Sequence, residues 1–296
     1  MIDLPTSWSA TIFAHNVART IVACLDSVLS QLPGSGGRVF VLVNGSRDDT
    51  EKLVSRYADA HPDVTLVNLP LADKASAWNH YVHALSPRVG FHFFVDADVC
   101  VSKDAFVAML DTFGNAPGAN AVGALPLSGR DRRGWSGRML THGRLAGGLY
   151  ALRGSFLDEL RQRAVRLPAG LIGDDLLVSC LVKGALGPQG LLQPSERLVF
   201  APAAGFSFTP LSIRRPRDWL VYGRRLVRYR IRDYQLAMLL RGANVQPRSG
   251  GLPADVATLY REAVDLPQYY WRGRITPFDL LAVWKIRNAA RKDRAT

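Results

Sequence analysis

Val89-Gly90-Phe91-His92-Phe93-Phe94-Val95-Asp96-Ala97-Asp98 is the stretch that decides the fold. Its first seven residues read as a buried strand, which runs directly into two carboxylates one residue apart. Open α/β sheets bind ligands beyond the C-terminal ends of their strands. An Asp-x-Asp at that edge offers hard oxygen ligands, and Mg²⁺ is commonly held by one or two carboxylates together with substrate phosphates. Taken alone, the pair also fits an ordinary strand-end turn, which Asp favours. The neighbouring segments decide between the two.

Upstream and downstream of this stretch, the first 125 residues alternate strand and helix. Ser9–Ala14, Val39–Val43, Val64–Leu69, Gly90–Val95 and Ala121–Leu125 read as strands. Ala18–Gln31 carries Ile21, Leu25, Val28, Leu29 and Leu32 at helical spacing, and Pro33–Gly37 closes it with a turn. Ser46-Arg47-Asp48-Asp49 resembles a capping box, so a helix through about Ala60 is expected. Asp73–Leu85 and Ser102–Phe113 complete the helices. Such alternation predicts an α/β fold, a mostly parallel sheet with helices on both faces. Beyond Leu125 the rhythm breaks. Ser128–Arg144 is rich in Gly and Arg and reads as a loop, Gly147–Leu152 as a strand, and Asp174–Lys183 as a helix starting at paired acids. Pro202–Pro216 reads as a loop, and Pro216–Leu240 as a basic helix weakened by Gly223.

The charge is unevenly placed. Residues 1–210 hold 19 Lys/Arg against 18 Asp/Glu, whereas residues 211–296 hold 18 against 7, so the net +12 belongs almost wholly to the C-terminal segment. Nucleotide phosphates, an anionic membrane surface and nucleic acid are the partners such basicity suits. No nucleic-acid motif accompanies it. Arg224, Arg228 and Arg232 share one helix face, and Leu220, Val227, Ile231, Tyr234 and Met238 another. That helix could lie on an anionic bilayer, or pack its apolar stripe on the preceding domain. Trp271-Arg272-Gly273-Arg274 and Lys285–Arg294 extend the basic surface. No apolar run is long enough to span a membrane, and Met1–Pro5 lacks the basic start of a signal peptide. Cys24, Cys100 and Cys180 are odd in number and widely spaced, which fits a reducing, cytoplasmic compartment.

Four segments stand where strands of such a sheet end: Ala14-His15-Asn16, Asn44-Gly45-Ser46-Arg47-Asp48-Asp49-Thr50, Asp73-Lys74-Ala75-Ser76-Ala77-Trp78-Asn79, and Asp96-Ala97-Asp98. Gly173-Asp174-Asp175 follows much later. The ordered set resembles the family 2 glycosyltransferases, which have the GT-A fold, over roughly residues 8–183. The resemblance implies a catalytic domain over 1–210, with a nucleotide-sugar half at about 8–125 and an acceptor half at about 126–210. A basic, mainly helical segment then fills 211–296. It implies a glycosyltransferase that moves one sugar from a nucleoside-diphosphate sugar to a hydroxyl acceptor, with inversion, and with Mg²⁺ or Mn²⁺. The acceptor can be a saccharide, a lipid-linked saccharide or a small molecule. Location is then cytoplasmic, with peripheral attachment at the inner face of the membrane left open.

Asp98 becomes the metal ligand, and Asp96 contacts ribose or the metal through water. Asn16, Asn44, Asp48, Lys74 and Asn79 become nucleotide contacts; Asp48 serves equally well as support for the helix it precedes. Asp175, or its neighbour Asp174, becomes the general base, although paired acids at a helix start also suit the helix dipole. Gly147-Gly148-Leu149-Tyr150-Ala151-Leu152-Arg153 takes the acceptor side of the cleft, where glycines let backbone approach closely.

Departures from the family pattern are specific. The strand-two Asp that many relatives aim at the base is replaced by Val43 or Asn44, the Gly before Lys74 is Asp73, and the acidic pair is Asp-Asp rather than Glu-Asp. The Gln-x-x-Arg-Trp signature of processive synthases is missing, which favours a single transfer. No His follows His142, so a late His metal ligand is absent. His80 and His83 share a helix face without a carboxylate partner and read as ordinary helix residues. Two rival functions remain: a nucleotidyltransferase, disfavoured because Ala14-His15-Asn16-Val17-Ala18-Arg19 is not Gly-rich, and a non-catalytic sugar-nucleotide-binding protein.

Overall fold

The computed structural model describes residues 7–31, 37–186, 188–212, 214–242, 251–262 and 275–292. The N-terminal Met1–Pro5, most of the Pro33–Gly37 turn, Trp271–Arg274 and the last two residues of Lys285–Arg294 lie outside them. One eight-stranded sheet organises the chain: β1 (Trp8–Ala14), β2 (Arg38–Asn44), β3 (Val64–Leu69), β4 (Phe91–Asp96), β5 (Val99–Val101), β6 (Ala121–Pro126), β7 (Leu149–Arg153) and β8 (Leu198–Phe208). Their order is β3-β2-β1-β4-β7-β6-β8-β5. β3, β2, β1 and β4 run parallel. β7 is antiparallel to both β4 and β6, β6 runs parallel to β8, and β5 closes the edge antiparallel to β8. The sheet is thus mixed and mostly parallel, flanked by helices.

Parallel strands covered on both faces read as near-continuous apolar runs, and β1 is buried at every position. Alternation of side chains then sorts residues between two cores. Trp8, Ala10, Ile12 and Ala14 join Val39, Val41, Phe91, Phe93 and Val95 on one face, beneath the helices Ile21–Leu29 and Ala105–Asn115. Phe13, Phe40, Leu42, Phe94, Tyr150 and Leu152 line the other. There they meet Ala75, Trp78, Leu177 and Val178, and also Val227, Tyr234, Met238, Ala282 and Ile286 from the C-terminal helices. The C-terminal segment therefore shares a core with the helix that carries Lys74 and the helix that starts at Asp174.

Four expected elements differ. Ser128–Arg144 contains a helix, Arg132–His142, ending at Gly143 in the left-handed region (φ 57°). Met139 is its one buried residue, so no apolar periodicity announced it. Much of Pro202–Pro216 belongs to β8, which tolerates Pro202 because its register against β6 shifts between Gly123 and Leu125. The helix Thr50–Ala60 starts after Asp49, whose side chain makes no capping bond. Asp48 does that work, its Oδ1 accepting from Thr50 N–H at 3.1 Å. The helix begun at Asp73 is α-helical over Lys74–His80 and widens into a π turn over Tyr81–Leu85.

The Pro216–Gly242 helix packs its apolar stripe from Val227 onward, with Val227, Tyr234 and Met238 buried. Its first turns do not follow, since Leu220 is 71% exposed beside exposed Trp219 and Tyr222. No helix among the described residues is long and apolar enough to cross a membrane. The three cysteines are free, and Cys24 and Cys180 are buried.

Candidate active site

Asp96 ends β4, and the two-residue turn Ala97-Asp98 leads into β5, which pairs with the C-terminal end of β8. Ala97 is buried and anchors the turn through its N–H to Phe13 O (3.1 Å), whereas Asp98 is exposed to solvent. Asp73 caps the helix Lys74–His80 by accepting from Ser76 N–H at 2.9 Å, which sets Lys74 at the first helical position. Lys74 has no favourable dipole there. Its partners explain it: Nζ lies 2.6 Å from Asp96 Oδ1 and 3.2 Å from Asp174 Oδ2, above the Phe13 ring at 5.4 Å. A residue of the Asp-x-Asp and a residue of the late acidic pair thus share one ammonium.

The acidic pair opens the helix Asp174–Lys183, where anionic side chains suit the positive end of the helix dipole. Asp174 is buried, and its Oδ2 has no aligned hydrogen-bond donor, so its contact with Lys74 is purely ionic. Asp175 is half-buried and accepts from Leu176 N–H at Oδ1 (3.0 Å) and from Gly147 N–H at Oδ2 (3.1 Å). At Gly147 a Cβ would lie 2.8 Å from Asp96 Oδ2 and 2.9 Å from Lys74 Nζ, so a larger residue there would push this ion pair aside. The glycine pair before β7 therefore lets backbone come between the two carboxylate groups.

This packing shifts the ionisation of the cluster. Burial, with Asp98 and Asp174 adding to it and Lys74 opposing it, pushes the Asp96 carboxyl up to about 7. Burial and the neighbouring Asp174 raise Asp175 above the usual carboxylate range. Burial works against the Lys74 ammonium, yet Asp174 and Asp96 outweigh it and hold it charged far into the alkaline range. Tyr150 lies against the same group, its phenol accepting from Trp78 Nε1–H at 3.0 Å.

The other expected residues separate into two sets. Asn16, in the left-handed region at φ 52°, ties the loops after β1 and β2 together. Its N–H donates to Ser46 Oγ (3.0 Å), and its Oδ1 accepts from Arg47 N–H (2.8 Å). Asn44 is buried at the end of β2, its carbonyl 2.7 Å from His15 Nδ1. Asp48 spends its carboxylate on Ala18 N–H (3.1 Å) and on the Thr50 N–H and hydroxyl, a loop and helix-start role. Asn79 is turned inward: its amide donates to Leu167 O and accepts from Leu167 N–H, both at 2.8 Å. It ties the Lys74 helix to the chain leading to Asp174. Of the histidines, His83 Nε2 lies 2.8 Å from Val165 O, a similar tie.

A divalent cation fits this donor set in one particular way. Among the described residues no three His, Cys, Asp or Glu side chains cluster into a closed metal cage. Asp98 is open to solvent and Asp96 is next to it, the pattern of a cation held by one or two carboxylates and completed by a diphosphate.

A sequence model described as glycosyl transferase family 2 matches residues 9–167, more than half of the chain. The chain belongs to this family. Its sheet also matches solved structures of similar topology. One is a mannosyltransferase from Pyrobaculum calidifontis in complex with GDP-Man and Mn²⁺, at 20% identity and TM-score 0.58, covering 97% of this chain and 78% of that one. Another is glucosyl-3-phosphoglycerate synthase from Mycobacterium tuberculosis with Mn²⁺, UDP-glucose and phosphoglyceric acid, at 20% identity and TM-score 0.53, covering 82% and 81%. A third is residues 1–349 of TarS from S. aureus, at 16% identity and TM-score 0.51, covering 96% and 81%. At these identities the likeness is one of fold. No curated protein matches the chain in sequence. The family assignment makes this protein a glycosyltransferase with a GT-A sheet, and gives the strand-end cluster its setting.

Sequence reasoning passed over several contributors. Gln235 and Arg232 reach the segment before the acidic pair from more than 50 residues away, with no local signal. Gly147-Gly148 was the visible trace of the close backbone approach.

Proposed function

We propose that this family 2 glycosyltransferase moves one sugar from a nucleoside-diphosphate sugar to a hydroxyl acceptor, with inversion and with a divalent metal. The observation that carries the reading is the shared ion contact of Lys74 with Asp96 and Asp174. It brings Asp96 of the Asp-x-Asp and Asp174 of the late acidic pair to one point. Asp98 and Asp96 would hold the metal. When bound with the diphosphate, the metal neutralises charge that grows on the leaving group. Lys74 adds a fixed positive charge beside it. Asp175 is the general base, and its raised pKa brings it nearer the working pH, which suits proton removal from an acceptor hydroxyl. Its two backbone donors fix the carboxylate in place. Titrated donor-and-metal panels with product detection test the reading. Donor binding without turnover across a broad set of hydroxyl acceptors would replace it with the binding-protein reading.

The C-terminal surface supports a lipid-linked acceptor. Trp219, Leu220 and Tyr222 at the start of one helix are exposed beside Arg224 and Arg228, as are Leu280, Leu281 and Trp284 beside Lys285 and Arg287 on another. Exposed aromatic and aliphatic side chains among cations suit the interface of an anionic bilayer. A lipid-linked acceptor at the cytoplasmic membrane face fits such a surface. Co-sedimentation with phosphatidylglycerol vesicles should be strong at low salt and weak at high salt. Absence of binding at low salt removes this part of the proposal.

A further inference from the structure

Four backbone groups of the five residues before the acidic pair are held from the C-terminal segment. Ala169 N–H donates to Ala254 O and Ala169 O accepts from Val256 N–H, both at 2.9 Å. Gln235, 1% exposed on the Pro216–Gly242 helix, does the rest. Its Oε1 accepts from Ile172 N–H at 2.7 Å, and its Nε2 donates to Gly170 O at 3.2 Å and to Tyr260 Oη at 2.7 Å. Both amide donors are used, so the side chain is locked. Beside it, Gly173 sits at φ +86° with the Arg232 stem where a side chain would be, a Cβ falling 2.6 Å from Arg232 Cδ. Arg232 also lies near enough to Asp175 to favour its ionised form. Asp174 and Asp175 are the next residues along the chain.

We infer that Gln235 is a positioning residue for the transfer reaction, holding residues 170–172 so that the acidic pair meets Lys74 and Gly147. The inference rests on the role proposed above for Asp174 and Asp175. The physical basis is geometric. A helix start moves as a unit with the loop that enters it. Buried backbone groups that lose their partner seek another, and the loop must shift to supply one. The donor side should change less than turnover, because the hydrogen bonds of Gln235 end on Gly170, Ile172 and Tyr260 and reach the donor side only through the contact of Asp174 with Lys74.

Gln235→Met keeps the side-chain volume and removes the amide. Expected is a fall in kcat of about 100-fold, the scale of a 1 Å misplacement, with far smaller changes in donor KM and in the donor-induced rise in Tm. Tyr260→Phe removes the third bond but leaves both loop bonds, and should keep kcat near that of the unaltered enzyme. Hydrogen exchange adds a readout that needs no turnover: amides of 170–176 should lose protection in Gln235→Met, while those of β1 to β4 keep theirs. Unchanged kcat with unchanged protection at 170–176 overturns the inference, as does an equal loss of protection throughout the chain. If Gln235→Met does not fold, Gln235→Glu keeps the Oε acceptor for Ile172 and carries the same exchange test. If the unaltered enzyme transfers no sugar to any acceptor, the proposed reaction fails, while the exchange result still decides whether Gln235 holds the loop.

Discussion

The two halves of this enzyme build their share of the site differently. In residues 8–125 each of four parallel strands ends in a short polar segment, and neighbouring loops are stitched by local bonds such as Asn16 with Ser46 and Arg47. Beyond Leu125 the site comes from distant pieces: Gly147 meets Asp175, and Gln235 meets Gly170 and Ile172. The first half is a scaffold with motifs at its strand ends. The second is an assembly whose precision depends on helix packing in the core shared with Val227, Tyr234 and Ile286. Damage should therefore show as lost donor binding in the first half and as lost turnover in the second.

The sharpest way to break that contrast is Asp175→Asn. Turnover should fall about 10²- to 10⁴-fold, the contribution of a positioned general base, with donor binding by calorimetry unchanged. A larger loss in Asp174→Asn would move the base to its neighbour and leave the contrast standing. Equal loss of donor affinity in both variants would break it.

Asp98→Ala tests the other side. The metal-dependent part of the donor-induced rise in Tm should vanish, since only binding to the native state raises apparent stability. Persistence of that rise removes Asp98 as the metal ligand.

Asn79→Ala should act on stability and not on donor affinity. Losing both bonds to Leu167 leaves a buried N–H and C=O unpaired, at about 1–3 kcal/mol each, measured by urea unfolding. A large loss of donor affinity with unchanged stability would return Asn79 to the nucleotide site.

The smallest effects are in pH. A base must be ionised, and the Asp175 pKa is raised, so the acid limb of kcat/KM should lie above the ordinary carboxylate range and flatten in Asp175→Asn. Stability has a separate slope. His92 in β4 is buried and near Arg161, which lowers its pKa from 6.5 to about 3. A folded-state pKa below the unfolded one gives stability that is full above 6.5 and lost as pH falls towards 3. The slope is about 1.4 kcal/mol per pH unit. His92→Asn, followed by urea midpoints, should flatten it.

Much of the first half was legible because parallel strands buried on both faces leave apolar runs, and Asp98 and Lys74 stand at their ends. Asp48 shows the limit: its spacing fits a nucleotide contact and a helix start equally well, and the structure spends its carboxylate on Thr50 and Ala18. Arg132–His142 and β8 were illegible for other reasons. The first is a mostly exposed, Gly-bearing helix without an apolar stripe, and the second hides a Pro in a register shift.

By itself the sequence determined the α/β fold, the family pattern and the identity of the acidic residues, because hydrophobic periodicity and strand-end chemistry are local properties of a chain. Only the tertiary structure decided that Lys74 answers to Asp96 and Asp174 together, that Asn79 faces Leu167, and that Gln235 reaches the loop before the acidic pair. These contacts join residues 22 to 100 positions apart, and only the packing of helices on one face of the sheet brings them within reach.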